Sequence, residues 1–325
     1  MATKIKRRRV SAGINGGING SAANAQCHGL VTKVPANRGR VMTSPDVFAI
    51  YWDRYFRDTP QAVARMNRFL SAILRGSYTS RLRQYGVRRG RFVGSKVITP
   101  DPDTPSSLDH KYIEDQLTSW ITYGTVRAKP TRPERGPLYV VFTPNYTSLG
   151  PGLCGYHDFG RYGTSKVNNL FWAPIQQWHY VAQSPPKPEK FVNSCSWGVS
   201  HELVEAFTDP DNQGYHTAHG CEIGDICECT SDCTKIKIVK VDGWLVETYW
   251  DNENQICYPP GATGGANRGT NGGINGGING GINGGINGGI NGGINGGANR
   301  GTARRKRRRS KAPRRTPEKR PKRPA

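Results

Sequence analysis

Between residues 47 and 250 apolar positions recur in helical and alternating runs, whereas both ends of the chain lack them. Val47-Phe48-Ala49-Ile50-Tyr51-Trp52 is a continuous apolar run and predicts a buried strand. Val63, Met66, Leu70, Ile73 and Leu74 then fall at helical spacing. That predicts a helix with Thr59 as N-cap, Pro60 in the first turn and Gly76 as its stop. A shorter helix is expected to end at Gly86, followed by a strand over 91–98. Leu108, Tyr112, Ile113, Leu117, Trp120 and Ile121 mark an amphipathic helix closed by Gly124. Leu138-Tyr139-Val140-Val141-Phe142-Thr143 is apolar on both faces, as expected of a central strand. Extended segments are expected at 170–172 and 178–181. A hairpin is expected from 235–241 and 244–250 across Asp242-Gly243. The expected fold class is α+β, a single zincin-like domain over 27–260 with a mixed sheet.

The ends read differently. Residues 1–26 are basic and Gly/Asn-rich, and 261–302 repeat Gly-Gly-Ile-Asn. One Ile in four residues buries too little apolar surface to offset the ordering of so many glycines. Both stretches are expected to be disordered, the second as a tether spanning on the order of 35 Å. Residues 303–325 form a basic tail. The formal charge of the chain is +22, but 5 cations in residues 1–10, 13 cations with one Glu in the tail, and Arg268 and Arg300 account for all but about +3 of it. Basic character therefore belongs to the ends and not to the fold. Arg304, Arg305, Lys306, Arg307, Arg308, Arg309, Lys311, Arg314 and Arg315 are the candidate nucleic-acid contacts, an import receptor being the other partner such a run suits. Without aromatics the tail would neutralise phosphates and not stack on bases.

The first ten residues run into Gly and Asn and not into an apolar core, so no signal peptide is expected, and no run of apolar residues is long enough for a membrane span. Nucleus or virus particle is the expected location. Of 8 cysteines, 7 lie from Cys154 to Cys257, and the spacing from Cys221 to Cys233 lacks a zinc knuckle. Disulfides such as Cys227 or Cys221 to Cys257 are expected instead, which calls for a non-reducing setting.

The chemistry concentrates in Ser200-His201-Glu202-Leu203-Val204-Glu205, the end of an expected helix stopped at Pro210. His201 and Glu205, four residues apart, lie about 40° from each other around a helix and share one side. The pattern resembles the metalloprotease helix H-E-x-x-H, with Glu205 in place of the second His and Glu202 as general base. Glu222 or Asp225, in the turn Cys221–Cys227, is expected to supply a third ligand to a divalent metal, most simply zinc. Two functions follow: a metal-dependent, peptidase-like hydrolase, or a non-enzymatic structural or virion-associated protein whose site residues are structural and whose tail binds DNA.

Several motifs in order carry a family resemblance: Gln84-Tyr85-Gly86-Val87, Phe92-Val93-Gly94-Ser95, Leu138–Pro144, Cys154-Gly155-Tyr156-His157, the His201 block with Thr208-Asp209-Pro210, and Glu222-Ile223-Gly224-Asp225-Ile226-Cys227. Over about residues 50–257 the chain resembles the EXORDIUM-like (phosphate-induced protein 1) family and its bacterial secreted relatives. The resemblance implies a zincin-like metal site at His201, Glu205 and Glu222 or Asp225, without an established peptidase activity. It also makes His157 a further candidate ligand or substrate contact, with a buried, satisfied histidine as the plainer reading. The absence of a signal peptide, the Gly-Ile-Asn repeats and the basic tail depart from the family pattern and set extracellular location in question.

Overall fold

The computed structural model describes residues 17–19, 33–36, 39–151, 153–177, 187–227 and 237–260. The chain divides into units of residues 1–273 and 274–325, and every described residue lies in the first. The expected extended segment at 178–181, the repeat linker and the basic tail fall outside the described residues.

Four parallel strands form the centre, in the order β3 (Arg91–Ile98), β2 (Asp46–Trp52), β4 (Leu138–Phe142) and β7 (Leu170–Ile175). Alternation along β2 decides the layering. Val47, Ala49 and Tyr51 enter one core with helix α2 (Pro60–Ile73) and helix α5 (Pro188–Thr208). Phe48, Ile50 and Trp52 enter another with helix α4 (His110–Thr122). Successive side chains of a strand point to opposite faces, so a strand apolar at every position must be covered on both. Beyond β7 the sheet turns antiparallel through β5 (Leu153–Tyr156) and β6 (Asp158–Gly160). The expectation of helices with one mixed sheet holds.

Local chemistry explains most boundaries. Asp109 caps α4 by accepting the Tyr112 N–H at 2.7 Å, and Gly124 follows with φ of 76°. A 3-10 turn over Arg81–Tyr85 ends at left-handed Gly86, as expected. Helix α1 (Arg54–Asp58) runs directly into α2, whose N-cap is Thr59 with Pro60 in the first turn, as expected, although the Thr59 side chain makes no capping hydrogen bond. One punctuation mark acts differently from expectation. Gly76 has φ of −79° and leads into helix α3 (Ser77–Ser80); a Cβ there would sit 2.8 Å from the Ala72 carbonyl oxygen, so the position needs space and not a left-handed turn.

In the N-terminal stretch Gly17–Asn19 forms β1, antiparallel to β5. One further expectation needs correction. The hairpin exists as β8 (Ile238–Val241) and β9 (Trp244–Glu247) across positive-φ Asp242 and Gly243, but its second arm stops at Glu247. The chain then pairs β10 (Tyr249–Asp251) with β11 (Ile256–Tyr258). Cys257 of β11 bonds to Cys227, one of the two expected alternatives.

Candidate metal centre

Helix α5 is buried over most of its length, including every residue from Cys195 to Thr208, which is why it lacks a clean apolar stripe. Three anchors hold it. At its start Phe191 packs on Phe56 and Phe142, with ring centroids 5.2 and 5.7 Å apart. In the middle the Tyr78 hydroxyl donates to the Glu247 carbonyl at 2.9 Å and lies 3.3 Å from that of Ser200, while the Glu247 N–H donates to Ser200 Oγ at 2.9 Å. At its end the Met42 N–H donates to the Phe207 carbonyl at 2.8 Å.

Two hydroxyls of this buried helix satisfy themselves within it. Ser200 donates to the Trp197 carbonyl at 2.7 Å and Thr208 to that of Val204 at 2.8 Å. Its ionisable groups do not. Both carboxylate oxygens of Glu202, Oε2 of Glu205 and both ring nitrogens of His201 lack a hydrogen-bond partner, and all three residues are fully buried. Around them converge His157, from the junction of β5 and β6, Glu222 and Asp225, from the Cys221–Cys227 turn, and Glu247, from β9. Each is at most 6% exposed.

The contacts sort into two sets that share one residue. In the first, His201 Nε2 lies 3.1 Å from Glu205 Oε1 and 3.9 Å from Asp225 Oδ1. In the second, His157 Nδ1 lies 3.9 Å from Glu205 Oε2, and His157 Nε2 lies 3.5 Å from Glu222 Oε1. Within each set one ligand atom per residue lies within 4.8 Å of the others. The choice between Glu222 and Asp225 as partner of His201 and Glu205 therefore falls on Asp225, while Glu222 pairs with His157. Glu202 is beside the second set, its Oε2 3.6 Å from His157 Nδ1. His157 is buried as the plainer reading expected, yet only Nε2 is engaged, 3.2 Å from the Asp209 carbonyl.

Each imidazole has an orienting partner behind it. His201 turns Nδ1 to Glu247 Oε1 at 3.2 Å, and both approaches to this ring are at hydrogen-bond distance but out of line with the N–H direction. His157, when Nε2 donates to the Asp209 carbonyl, presents the Nδ1 lone pair to Glu202 and Glu205. Ligating histidines are commonly held this way by a carboxylate or carbonyl on the second nitrogen. Glu247 escaped the sequence reading because an acid in a hairpin strand normally marks a solvated face. Gly224 escaped it too: a Cβ there would lie 2.7 Å from Glu205 Oε1 and 2.9 Å from His201 Nδ1. Only glycine lets the turn lie flat against the helix, where the Asp225 N–H donates to Glu205 Oε1 at 3.2 Å.

Burial dominates the electrostatics. It pushes Glu202 up to about 7, against the pull of the His157 ring 3.6 Å away. It raises Glu222 well above the carboxylate range, reinforced by the charges of Glu205, Asp209, Asp225 and Glu202. Burial also raises Glu247, against the pull of His201. For the imidazoles burial works downward but is outweighed, by Glu202 for His157, raised to about 9, and by Glu205 and Glu247 for His201. Five carboxylates and two imidazoles in one dry space call for protons or cations, because isolated buried charge is very costly. A cleft of about 50 Å³, lined by Asp209, Asn212, His216, Gly220 and Glu222, leads to the Glu222 side. That space suits water or an ion. Larger surface clefts, one of about 620 Å³ beside Arg83 and Arg88 and one of about 860 Å³ beside Arg91 and Arg135, are lined by no residue of the cluster.

Compared with known proteins, the chain matches no family model, no curated protein and no solved structure. Among the described residues no helix is long and apolar enough to cross a membrane.

Proposed function

We propose that this chain is a zincin-like metal-binding protein that holds a divalent cation through His201, Glu205 and Asp225 and acts as a hydrolase on small substrates. The observation that carries the reading is the convergence of those three buried side chains, with ligand atoms within 4.8 Å, on a helix-borne His and Glu four residues apart. The donor set contains imidazole and carboxylate, which suits zinc among the common divalent ions. Glu247 behind His201 and Gly224 beneath the turn support it, since both serve the placement of ligands and neither is needed for packing a core. The motif order that resembles EXORDIUM-like proteins supports the same assignment.

When bound, the cation supplies Lewis acidity to a water or a substrate carbonyl. Glu202, with both carboxylate oxygens uncommitted and Oε2 facing His157, is placed to take a proton and hand it on. The narrow cleft at Glu222 restricts what reaches the site to small molecules. Deep burial favours a second reading, in which the ion braces the Cys221–Cys227 turn against α5 and does no chemistry. Separating the two takes paired variants of the full-length protein. His201→Ala is expected to lose bound metal and melt at lower temperature; unchanged metal content in that variant sinks the metal assignment. Glu202→Gln is expected to keep metal and fold while losing hydrolysis of small ester and peptide substrates. Wild type that needs metal to fold yet turns over none of them establishes the bracing role. For the basic tail we propose non-specific nucleic-acid binding, supported by its density of Lys and Arg without aromatics.

A further inference from the structure

We propose that the centre is dinuclear, with Glu205 as the shared ligand: one cation between His201 and Asp225, a second between His157 and Glu222. The proposal rests on the metal reading above and adds a second site to it. Glu205 faces two ways. Its Oε1 lies 3.1 Å from His201 Nε2, and its Oε2 lies 3.9 Å from His157 Nδ1. Two sets of one imidazole and two carboxylates, each within 4.8 Å, therefore meet at the two oxygens of a single side chain. A carboxylate that spans a pair of ions in this manner suits the spacing of about 3.5–4 Å typical of two-metal sites.

Charge points the same way. Glu202, Glu205, Glu222, Asp225 and Glu247 are all at most 4% exposed. Metal binding needs Glu205, Glu222 and Asp225 ionised and both histidines neutral, so the ligands carry three negative charges. One divalent ion leaves one of these uncompensated in a buried space, where charge is tolerated only when paired or coordinated; a second ion, with Glu202 ionised beside it, brings the centre to neutrality. The second set has unpartnered ligand atoms of its own: His157 Nδ1, Glu205 Oε2 and both oxygens of Glu222 have no hydrogen-bond partner.

The two positions differ in access. Glu222 lines the cleft of about 50 Å³, while His201, Glu205 and Asp225 do not. The His157–Glu222 ion is thus the outer and more exchangeable one, beside Glu202 and on the side that water reaches. The inner ion, backed by Glu247, is the more tightly held.

The test uses Mn²⁺ as probe on the full-length protein, stripped with chelator and reloaded. Native mass spectrometry is expected to count two ions per wild-type chain, binding in two steps. Electron paramagnetic resonance is expected to show the hyperfine pattern of isolated Mn²⁺ at one equivalent and to lose it through exchange coupling at two. Glu222→Gln and His157→Asn are each expected to stop at one ion and retain the isolated pattern, with circular dichroism confirming the fold. Saturation of wild type at one ion, lost in His201→Ala and untouched by Glu222→Gln, overturns the second site and leaves the single-metal reading standing. No bound ion in wild type removes both. Two ions whose spectra stay isolated overturn the bridging role of Glu205. Because the wild-type count needs no substitution, a variant that fails to fold does not block the decision.

Discussion

In the proposed centre Glu247 and Gly224 touch no substrate, yet each would govern how a ligand is presented. Glu247 stands 3.2 Å behind the His201 ring. Removing such an orienting carboxylate typically weakens metal binding ~10–100-fold, so Glu247→Gln is expected to lower affinity by that order in a competition titration against a chromophoric chelator. Unaltered affinity in a folded Glu247→Gln protein would show that the contact does not orient the ring. Gly224→Ala inserts a methyl 2.7 Å from Glu205 Oε1 and 2.9 Å from His201 Nδ1, so both side chains must shift to admit it. Overpacking of this kind costs roughly 1–3 kcal/mol. Chemical denaturation is expected to record that loss together with weaker metal uptake, and a variant as stable as wild type refutes the close approach.

At the scale of elements, the turn that carries Glu222 and Asp225 depends on a remote covalent tie. Cys227 and Cys257 are separated by 30 residues, and closing a loop of that size is worth about 3–4 kcal/mol in the chain-entropy account. Cys257→Ser is expected to lose stability of that order in urea, with metal affinity falling alongside. Loss of stability with full metal affinity would mean the turn holds its shape unaided. The edge of the sheet answers to pH instead. Burial pushes the Asp46 carboxyl up, but hydrogen bonds from Arg91 and Arg135, at 2.8 and 3.0 Å, outweigh it and hold the group below its ordinary value. A folded value below the unfolded one stabilises the protein above the unfolded pKa, and that contribution disappears as pH falls through the folded value. Asp46→Asn is therefore expected to be less stable than wild type at neutral pH, with the gap closing on acidification. Since Arg91 and Arg135 are about half exposed, the gap should be small and shrink in salt. A difference that persists below the carboxylate range would assign it to packing.

For the whole molecule, charge and chemistry occupy different parts of the chain. The residues of the proposed centre all lie in residues 157–247, while most of the net +22 lies in the ends. Full-length protein is expected to bind DNA with an affinity that falls steeply as salt rises and differs little between sequences or between duplex and single strand. Deleting 303–325 is expected to remove most of that binding and leave metal content unchanged. Replacing 261–302 with a Gly/Ser linker of equal length is expected to change neither. Sequence-selective binding that survives high salt, or binding retained without the tail, would place recognition in the folded unit.

Periodicity and short-range spacing carried much of this protein by themselves. The strands β2, β3 and β4 and the helix α4 were legible because burial on one or both faces of an element writes its period into neighbouring residues. His201 and Glu205 were legible as a pair because a helix brings residues four apart to one side whatever surrounds it. Where stop residues were read by type alone the sequence misled: Gly76 is a glycine for want of space, which only the position of Ala72 reveals. Tertiary structure alone assigned Asp225 to His201 and Glu222 to His157, since the two acids sit three residues apart in one turn and a linear pattern treats them alike. It alone turned His157 toward the helix and buried Glu247 behind His201. Those residues meet because β5, the Cys221–Cys227 turn and β9 pack on α5, and contacts between segments distant in sequence leave no periodic trace in either one.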